Sequence, residues 1–192
     1  MKIVLASANK KKADELKHLL PSSFQIITLK DAGIEEEIPE TGNSFEANAM
    51  QKARYVYDKT GLNVIADDSG LEVKALKGAP GIYSARYAGE HRSDDDNITK
   101  LLHELRHTDN RKANFRCVIH LVMNGADYAF DGRCNGNIIY NKKGSKGFGY
   151  DPIFVPEGYA TTFAEMDAEE KNKISHRAKA MERLISFLCT IA

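Results

Sequence analysis

Residues 63–76 read NVIADDSGLEVKAL, and the fold class turns on this stretch. Asn63 to Ala66 is a short apolar run of buried-strand character, Asp67-Asp68-Ser69-Gly70 has turn chemistry, and Leu71 to Leu76 is strand-like again. Ligands of open α/β sheets gather at the carboxyl ends of the strands, where this reading puts the acidic pair. Adjacent carboxylates repel one another. They make sense beside a cation, and hard oxygen ligands suit Mg²⁺; a plain turn with Asp side chains capping backbone amides is the other reading.

Upstream, Ser44 to Lys59 has helical spacing and Gly61 stands at the position of a C-terminal cap. Phe45, Asn48, Ala49, Lys52, Ala53 and Val56 share one stripe of that helix. Asn48 and Lys52 interrupt an apolar face, either as a lysine snorkelling from the core edge or as groups aimed at phosphate or carboxylates. Phe24 to Leu29 and Lys2 to Ala6 read as further strands; the second is followed by Ser7-Ala8-Asn9 and a helix bearing Ala13, Leu16, Leu19 and Leu20. The run Asn9-Lys10-Lys11-Lys12 puts positive charge at a helix start, where the dipole is already positive. A bound phosphate would turn that cost into complementarity, whereas a solvated basic face needs no ligand.

Downstream come the turn Gly78-Ala79-Pro80-Gly81 and a helix over Asp95 to His107 with Ile98, Leu101, Leu102 and Leu105 on one face. Strands Phe115 to Met123 and Tyr128 to Tyr140 meet near Asn124-Gly125, a strong hairpin signal. A glycine-rich loop, Gly144 to Asp151, precedes an amphipathic C-terminal helix with Ile174, Ala178, Met181, Ile185 and Leu188 on its apolar side. Strands alternating with helices, plus one hairpin, predict an α/β architecture: a mixed sheet flanked by helices.

The 192 residues fit a single domain spanning 1–192, with 42% hydrophobic and 28% charged residues and a mean hydropathy of -0.44, values of a globular enzyme. Lys plus Arg and Asp plus Glu both number 27, so the basic excess of a nucleic-acid binder is missing and any anion site must be local. Cys117, Cys134 and Cys189 have no paired spacing and read as reduced thiols. No run is long enough for a signal peptide core or a membrane span, which makes the cytoplasm the expected compartment.

Two further clusters carry candidate chemistry. In Gly147-Phe148-Gly149-Tyr150-Asp151-Pro152 the glycines admit close backbone approach, and Phe148 offers a platform for a base or else folds into the core. Lys171 and Ser175-His176-Arg177 bring basic groups to the start of the last helix, as ligands or as an ordinary cap with solvated charges. Glu40, before Thr41-Gly42, is a further candidate metal ligand or a surface acid.

Taken in order, Ser7-x-Asn9-x-x-Lys12, Glu40-Thr41-Gly42-x-Ser44-Phe45, Ala66-Asp67-Asp68-Ser69-Gly70-Leu71, GAPGIYSARYAG (78–89), GFGYD (147–151) and Ile174-Ser175-His176-Arg177 resemble the inosine triphosphate pyrophosphatase family over almost the whole chain. The resemblance implies an elongated mixed sheet in two lobes with an active-site cleft between them, a homodimer, and Mg²⁺-dependent cleavage of ITP, dITP and XTP to monophosphate and pyrophosphate. It implies that Ser7, Ala8, Asn9, Lys10, Lys11 and Lys12 hold the triphosphate with Lys52. Glu40 and Asp68 would ligate Mg²⁺, and Asp68 would also accept a proton. Ser69, Phe148, Gly149, Tyr150, Asp151, Lys171, His176 and Arg177 would bind substrate.

Two positions depart from the family pattern. Ala8 stands where the family usually has Gly, and Phe45-Glu46-Ala47-Asn48-Ala49 replaces the frequent Phe-x-Glu-Asn-Ala, which removes a carboxylate at position 47. The implied reaction is in-line attack of water on the α-phosphorus, with Asp68 or a metal-bound hydroxide activating the nucleophile. A donor from His176 or Arg177 to the purine 6-oxygen would disfavour adenine. A nucleotide sensor without hydrolysis is the competing reading, opposed by intact Lys12, Glu40 and Asp68; single-stranded RNA binding is opposed by the zero net charge.

Overall fold

The computed structural model describes residues 1–7 and 23–191, so the lysine run and the first predicted helix lie outside the described residues. Among the described residues the strands are β1 (Lys2–Leu5), β2 (Gln25–Ile27), β3 (Asn63–Val73), β4 (Lys112–Met123), β5 (Ala126–Ile138) and β6 (Phe154–Pro156). They form one six-stranded sheet in the order β2-β1-β3-β4-β5-β6. β1 pairs in parallel with both β2 and β3, and β5 pairs antiparallel with β6. Asn124 and Gly125, at φ of 50 and 83, make the two-residue link between β4 and β5, a turn that returns the chain antiparallel. The sheet is therefore mixed and helix-flanked, as its strand and helix alternation predicts.

Among the described residues the α-helices are α1 (Phe45–Thr60), α2 (Asp94–Glu104), α3 (Ala168–Ile174) and α4 (His176–Cys189). Ser44 caps α1 by accepting from the Ala47 amide at 3.1 Å, and Gly61, at φ 65, closes it in the left-handed conformation that a side chain would strain. The buried residues of α1 are Phe45, Asn48, Ala49, Lys52, Ala53 and Val56, the stripe that helical spacing predicts.

Two elements differ from expectation. Asp67-Asp68-Ser69-Gly70 is not a turn, because β3 runs unbroken from Asn63 to Val73 between β1 and β4 and keeps its extended backbone within the sheet. The C-terminal helix is interrupted at Ser175 (φ -66, ψ 155), whose hydroxyl accepts from the Ala178 amide at 3.2 Å and starts α4 afresh. The new start shifts the apolar face to Ala180, Met181, Leu184 and Leu188 and leaves Ile174 on α3.

By contacts the chain divides into two compact units, each with its own core. The first comprises residues 1–68, 118–131 and 180–192. There α1 lays Ala53 and Val56 on Val64 and Ala66 of β3 and Val4 and Ala6 of the β1 segment, with Ile34 and Val122. The second comprises 69–117 and 132–179; its core joins Ile98, Leu101 and Leu105 of α2 to Leu71, Val73, Phe115, Ile138 and Phe154. Phe115 contacts Phe154 edge-on at 4.8 Å between ring centroids. Each fully buried Leu or Phe stabilises by about 1.5 to 3 kcal/mol, so these faces hold α1 and α2 to the sheet.

Candidate active site

In the first unit the site grows from the place where β1 stops and β3 continues. Leu5 pairs with Ile65, the Ala6 amide donates to the Ile65 carbonyl at 2.8 Å, and Ser7 then leaves the sheet while β3 runs on through Asp67 and Asp68. The carboxylates thus lie inside a strand, yet beside the carboxyl end of its parallel neighbour, the position where ligands gather. Strand alternation sends them to opposite faces. Asp67 is buried, and Asp68 shares the face of Val64 and Ala66, beneath α1. The two carboxylates are therefore split between the faces of the sheet, and Asp68 is joined by Glu40 through Lys52.

Lys52 makes that junction. Its ammonium is hydrogen-bonded to Glu40 Oε1 and lies 3.9 Å from Asp68 Oδ1, with the lysine side chain 10% exposed. Asn48, one turn earlier and 2% exposed, donates from Nδ2 to Asp68 Oδ2 at 3.0 Å and accepts from the Gly42 amide at 2.8 Å on Oδ1. One oxygen of Asp68 is therefore held by an amide, and the other faces the ammonium. Gln51 completes the seat of the Glu40-Thr41-Gly42 segment by accepting from the Thr41 amide at 2.8 Å and donating to its hydroxyl at 2.9 Å. Position 42 must be glycine, because a Cβ there would stand 2.7 Å from Ala47 Cβ and 2.9 Å from the Asn48 amide nitrogen. Ala47 itself packs under this segment, where the family pattern often has an acid.

The second unit carries the other predicted residues. Arg177, in the first turn of α4, donates from Nη2 to Ser69 Oγ at 3.3 Å. His176 stacks on Phe115, with centroids 4.9 Å apart and planes 14° from parallel. Asp151 is buried, pairs with the Lys171 ammonium and accepts from the Phe148 amide at 2.9 Å. Gly147 has φ 81, and a Cβ there would reach 2.1 Å from Asp151 Oδ2. Phe148 is 66% exposed, with the Lys171 ammonium 5.0 Å from its ring centre, so the ring is not folded into the core. Tyr150 is buried, and burial pushes its phenol well above the usual range, so it stays a donor; its hydroxyl reaches the Ser84 carbonyl at 2.9 Å. The structure brings Ser69 to Arg177 and Phe148 to Asp151 and Lys171, and separately brings Glu40 and Lys52 to Asp68. Ala8, Asn9, Lys10, Lys11 and Lys12 lie outside the described residues.

The Ham1 family model matches residues 3–187. The chain belongs to the Ham1 family. It is 54% identical over 187 residues to a dITP/XTP pyrophosphatase of Flavobacterium psychrophilum, covering 97% of this chain and 98% of that one. A second dITP/XTP pyrophosphatase, from Flavobacterium johnsoniae, is 50% identical over 188 residues, with 98% of each chain covered. Among solved structures, the Ham1 protein of Staphylococcus aureus superposes with a TM-score of 0.96 at 42% identity over 100% of both chains. Ham1 membership agrees with the mixed sheet and with the ordered motifs.

The donor set for a metal is small. Among the described residues no group of three or more His, Cys, Asp or Glu could hold an ion. Glu40 and Asp68 meet at the Lys52 ammonium and offer only oxygen donors. Asn48 was legible as a polar break in an apolar stripe, but its partner Asp68 comes from β3, 20 residues on in the chain.

Proposed function

We propose that this chain hydrolyses ITP, dITP and XTP to the nucleoside monophosphate and pyrophosphate, removing non-standard purines from the nucleotide pool. The observation that carries the reading is the Glu40–Lys52–Asp68 cluster beside the end of β1, in a chain 54% identical to a dITP/XTP pyrophosphatase along nearly its whole length. Glu40 and Asp68 are the residues we assign to Mg²⁺, which when bound neutralises charge on the phosphate oxygens. Lys52 balances the two carboxylates and offers its charge to the phosphates. Asp68, held through Oδ2 by Asn48, is the residue we assign to take the proton of the attacking water. Ser7 and the segment from Ala8 to Lys12 bind the triphosphate.

For the base, exposed Phe148 stacks on the purine, with Lys171 and Asp151 at the foot of its loop. Ser69, Gly149, Tyr150, His176 and Arg177 complete the pocket, and a donor from His176 or Arg177 to the 6-oxygen would be left unmatched by adenine. The same reading makes the chain a single domain over 1–192, cytoplasmic and homodimeric; no helix among the described residues is long and apolar enough to cross a membrane. The test is a panel of purine and pyrimidine triphosphates with Mg²⁺, scored for monophosphate and pyrophosphate. Preferential turnover of ITP, dITP and XTP is expected. Nucleotide binding without pyrophosphate release would favour the sensor reading.

A further inference from the structure

Besides the Lys171–Asp151 pair, two contacts tie the loop that presents Phe148 to α2 and to the segment around Ser84. Asp94, the first residue of α2, accepts from the Gly149 amide through Oδ2 at 2.7 Å, across 55 residues of sequence. Tyr150, next in the chain, donates its hydroxyl to the Ser84 carbonyl. The Ser84 segment is tied to α2 as well. Asn97, 2% exposed and one turn after Asp94, accepts from the Ala88 amide at 2.6 Å and donates to the Ala85 carbonyl at 3.2 Å. Ser84 Oγ, in turn, donates to the Gly81 carbonyl at 2.6 Å and accepts from the Leu71 amide of β3 at 2.9 Å. The first turn of α2 thus fastens both the glycine loop and the segment behind it, while the hydrophobic face of α2, Ile98 and Leu101, anchors that turn in the core.

Capping does not require this of Asp94. Ser93 already caps α2 by accepting from the Asp96 amide at 3.2 Å, and Asp95 and Asp96 supply further negative charge to the first turn. Asp95 pairs with Lys142 and Asp96 with His91, whereas the Asp94 carboxylate is given to a glycine amide whose φ is 58. A flexible glycine peptide gains most from an external acceptor, because nothing in its own side chain restricts it. We infer that Asp94 is a positioning residue for nucleotide recognition: by holding the Gly149 amide it fixes the loop from which Phe148 projects. This rests on Phe148 being the purine platform. Asp94 touches no substrate and acts only through the loop, so its removal is felt in KM more than in kcat.

The experiment compares Asp94→Ala and Asp94→Asn with Phe148→Ala and with Lys142→Ala, a neighbouring ion-pair deletion that spares the loop. Hydrogen exchange of the peptide covering residues 146–151 reports the Gly149 amide directly, and kcat and KM for inosine triphosphate report its use. Asp94→Ala should speed exchange there and raise KM about fivefold, equivalent to about 1 kcal/mol, with kcat within about twofold. Asp94→Asn, which keeps an acceptor oxygen, should restore most of both; Lys142→Ala should change neither. Unaltered exchange in Asp94→Ala, or faster exchange with unaltered KM, would overturn the inference. So would equal losses in Asp94→Ala and Asp94→Asn, which would assign the effect to charge at the helix end. If Phe148→Ala raises KM and Asp94→Ala does not, the platform stands and the clamp falls. If Asp94→Ala raises KM and Phe148→Ala does not, the platform reading falls and takes this inference with it.

Discussion

Substituting Gly42 by alanine is the sharpest single perturbation of the Glu40–Asp68 cluster, because it adds one methyl group at a place with no room. The new Cβ would meet Ala47 Cβ at 2.7 Å, Asn48 Oδ1 at 2.8 Å and the Asn48 amide nitrogen at 2.9 Å. All three belong to the first turn of α1, which is capped by Ser44 and buried through Phe45, Asn48 and Ala49, so the helix has little freedom to yield. Restoring an ordinary carbon contact of about 3.8 Å means lifting the loop by roughly 1 Å. That movement stretches the 2.8 Å bond from the Gly42 amide to Asn48 past hydrogen-bond range and carries Glu40 away from Lys52 and Asp68. Overpacking and one lost hydrogen bond together cost about 1 to 3 kcal/mol of stability. A displacement of about 1 Å in a group that positions the reaction costs about 100-fold in rate. Steady-state kcat/KM for inosine triphosphate, with a urea denaturation curve on the same preparation, separates the two effects. A Gly42→Ala variant that folds and turns over within a few-fold of the parent would refute the claim that this loop seats Glu40.

Asp68→Asn should abolish turnover while leaving fold and nucleotide affinity nearly intact, since Asn preserves the shape and an acceptor for Asn48; circular dichroism, nucleotide titration and pyrophosphate release would check each part. Phe148→Ala should weaken every purine triphosphate by about 1 to 3 kcal/mol with little change in preference, as comparison of inosine and adenosine triphosphates would reveal. Arg177→Ala should instead cost inosine triphosphate more than adenosine triphosphate; a uniform loss of kcat/KM would mean that Arg177 serves the phosphates or Ser69 alone. In the first unit, Arg54 and His120 hold the Asp127 carboxyl below its ordinary range, so the stability it contributes is present above that range and is lost as pH falls through it toward the lowered value. Wild-type protein should lose its advantage over Asp127→Asn as pH falls below about 5, by under about 1 kcal/mol because the pair is partly exposed, and a pH-independent difference in urea midpoint would contradict this.

Local chemistry was enough to read much of the framework. The stripe of α1, its Ser44 cap and its Gly61 stop follow from 3.6-residue periodicity and from positions where only particular side chains satisfy free amides or a left-handed turn. The Asn124-Gly125 hairpin follows from the positive φ that its tight link demands. The candidate site was legible where a polar residue broke an apolar pattern, as at Lys52, or where glycines flanked an aromatic, as at Phe148.

Tertiary structure decided what those patterns could not. Asp-Asp-Ser-Gly has the local chemistry of a turn, yet it is strand because β3 runs on past the end of β1 alongside β4; the same extension then sent Asp67 and Asp68 to opposite faces and matched Asp68 with Glu40. Asp94 looks in sequence like one of three acids complementing a helix dipole, and only the fold carries the Gly149 amide to it. The amino-acid order thus determined the helices, the tight turns and the side chains able to do chemistry, because those depend on neighbours a few residues away. Which carboxylate faces Lys52 depends on contacts between segments far apart in the chain, and there the packing of strands and helices decided.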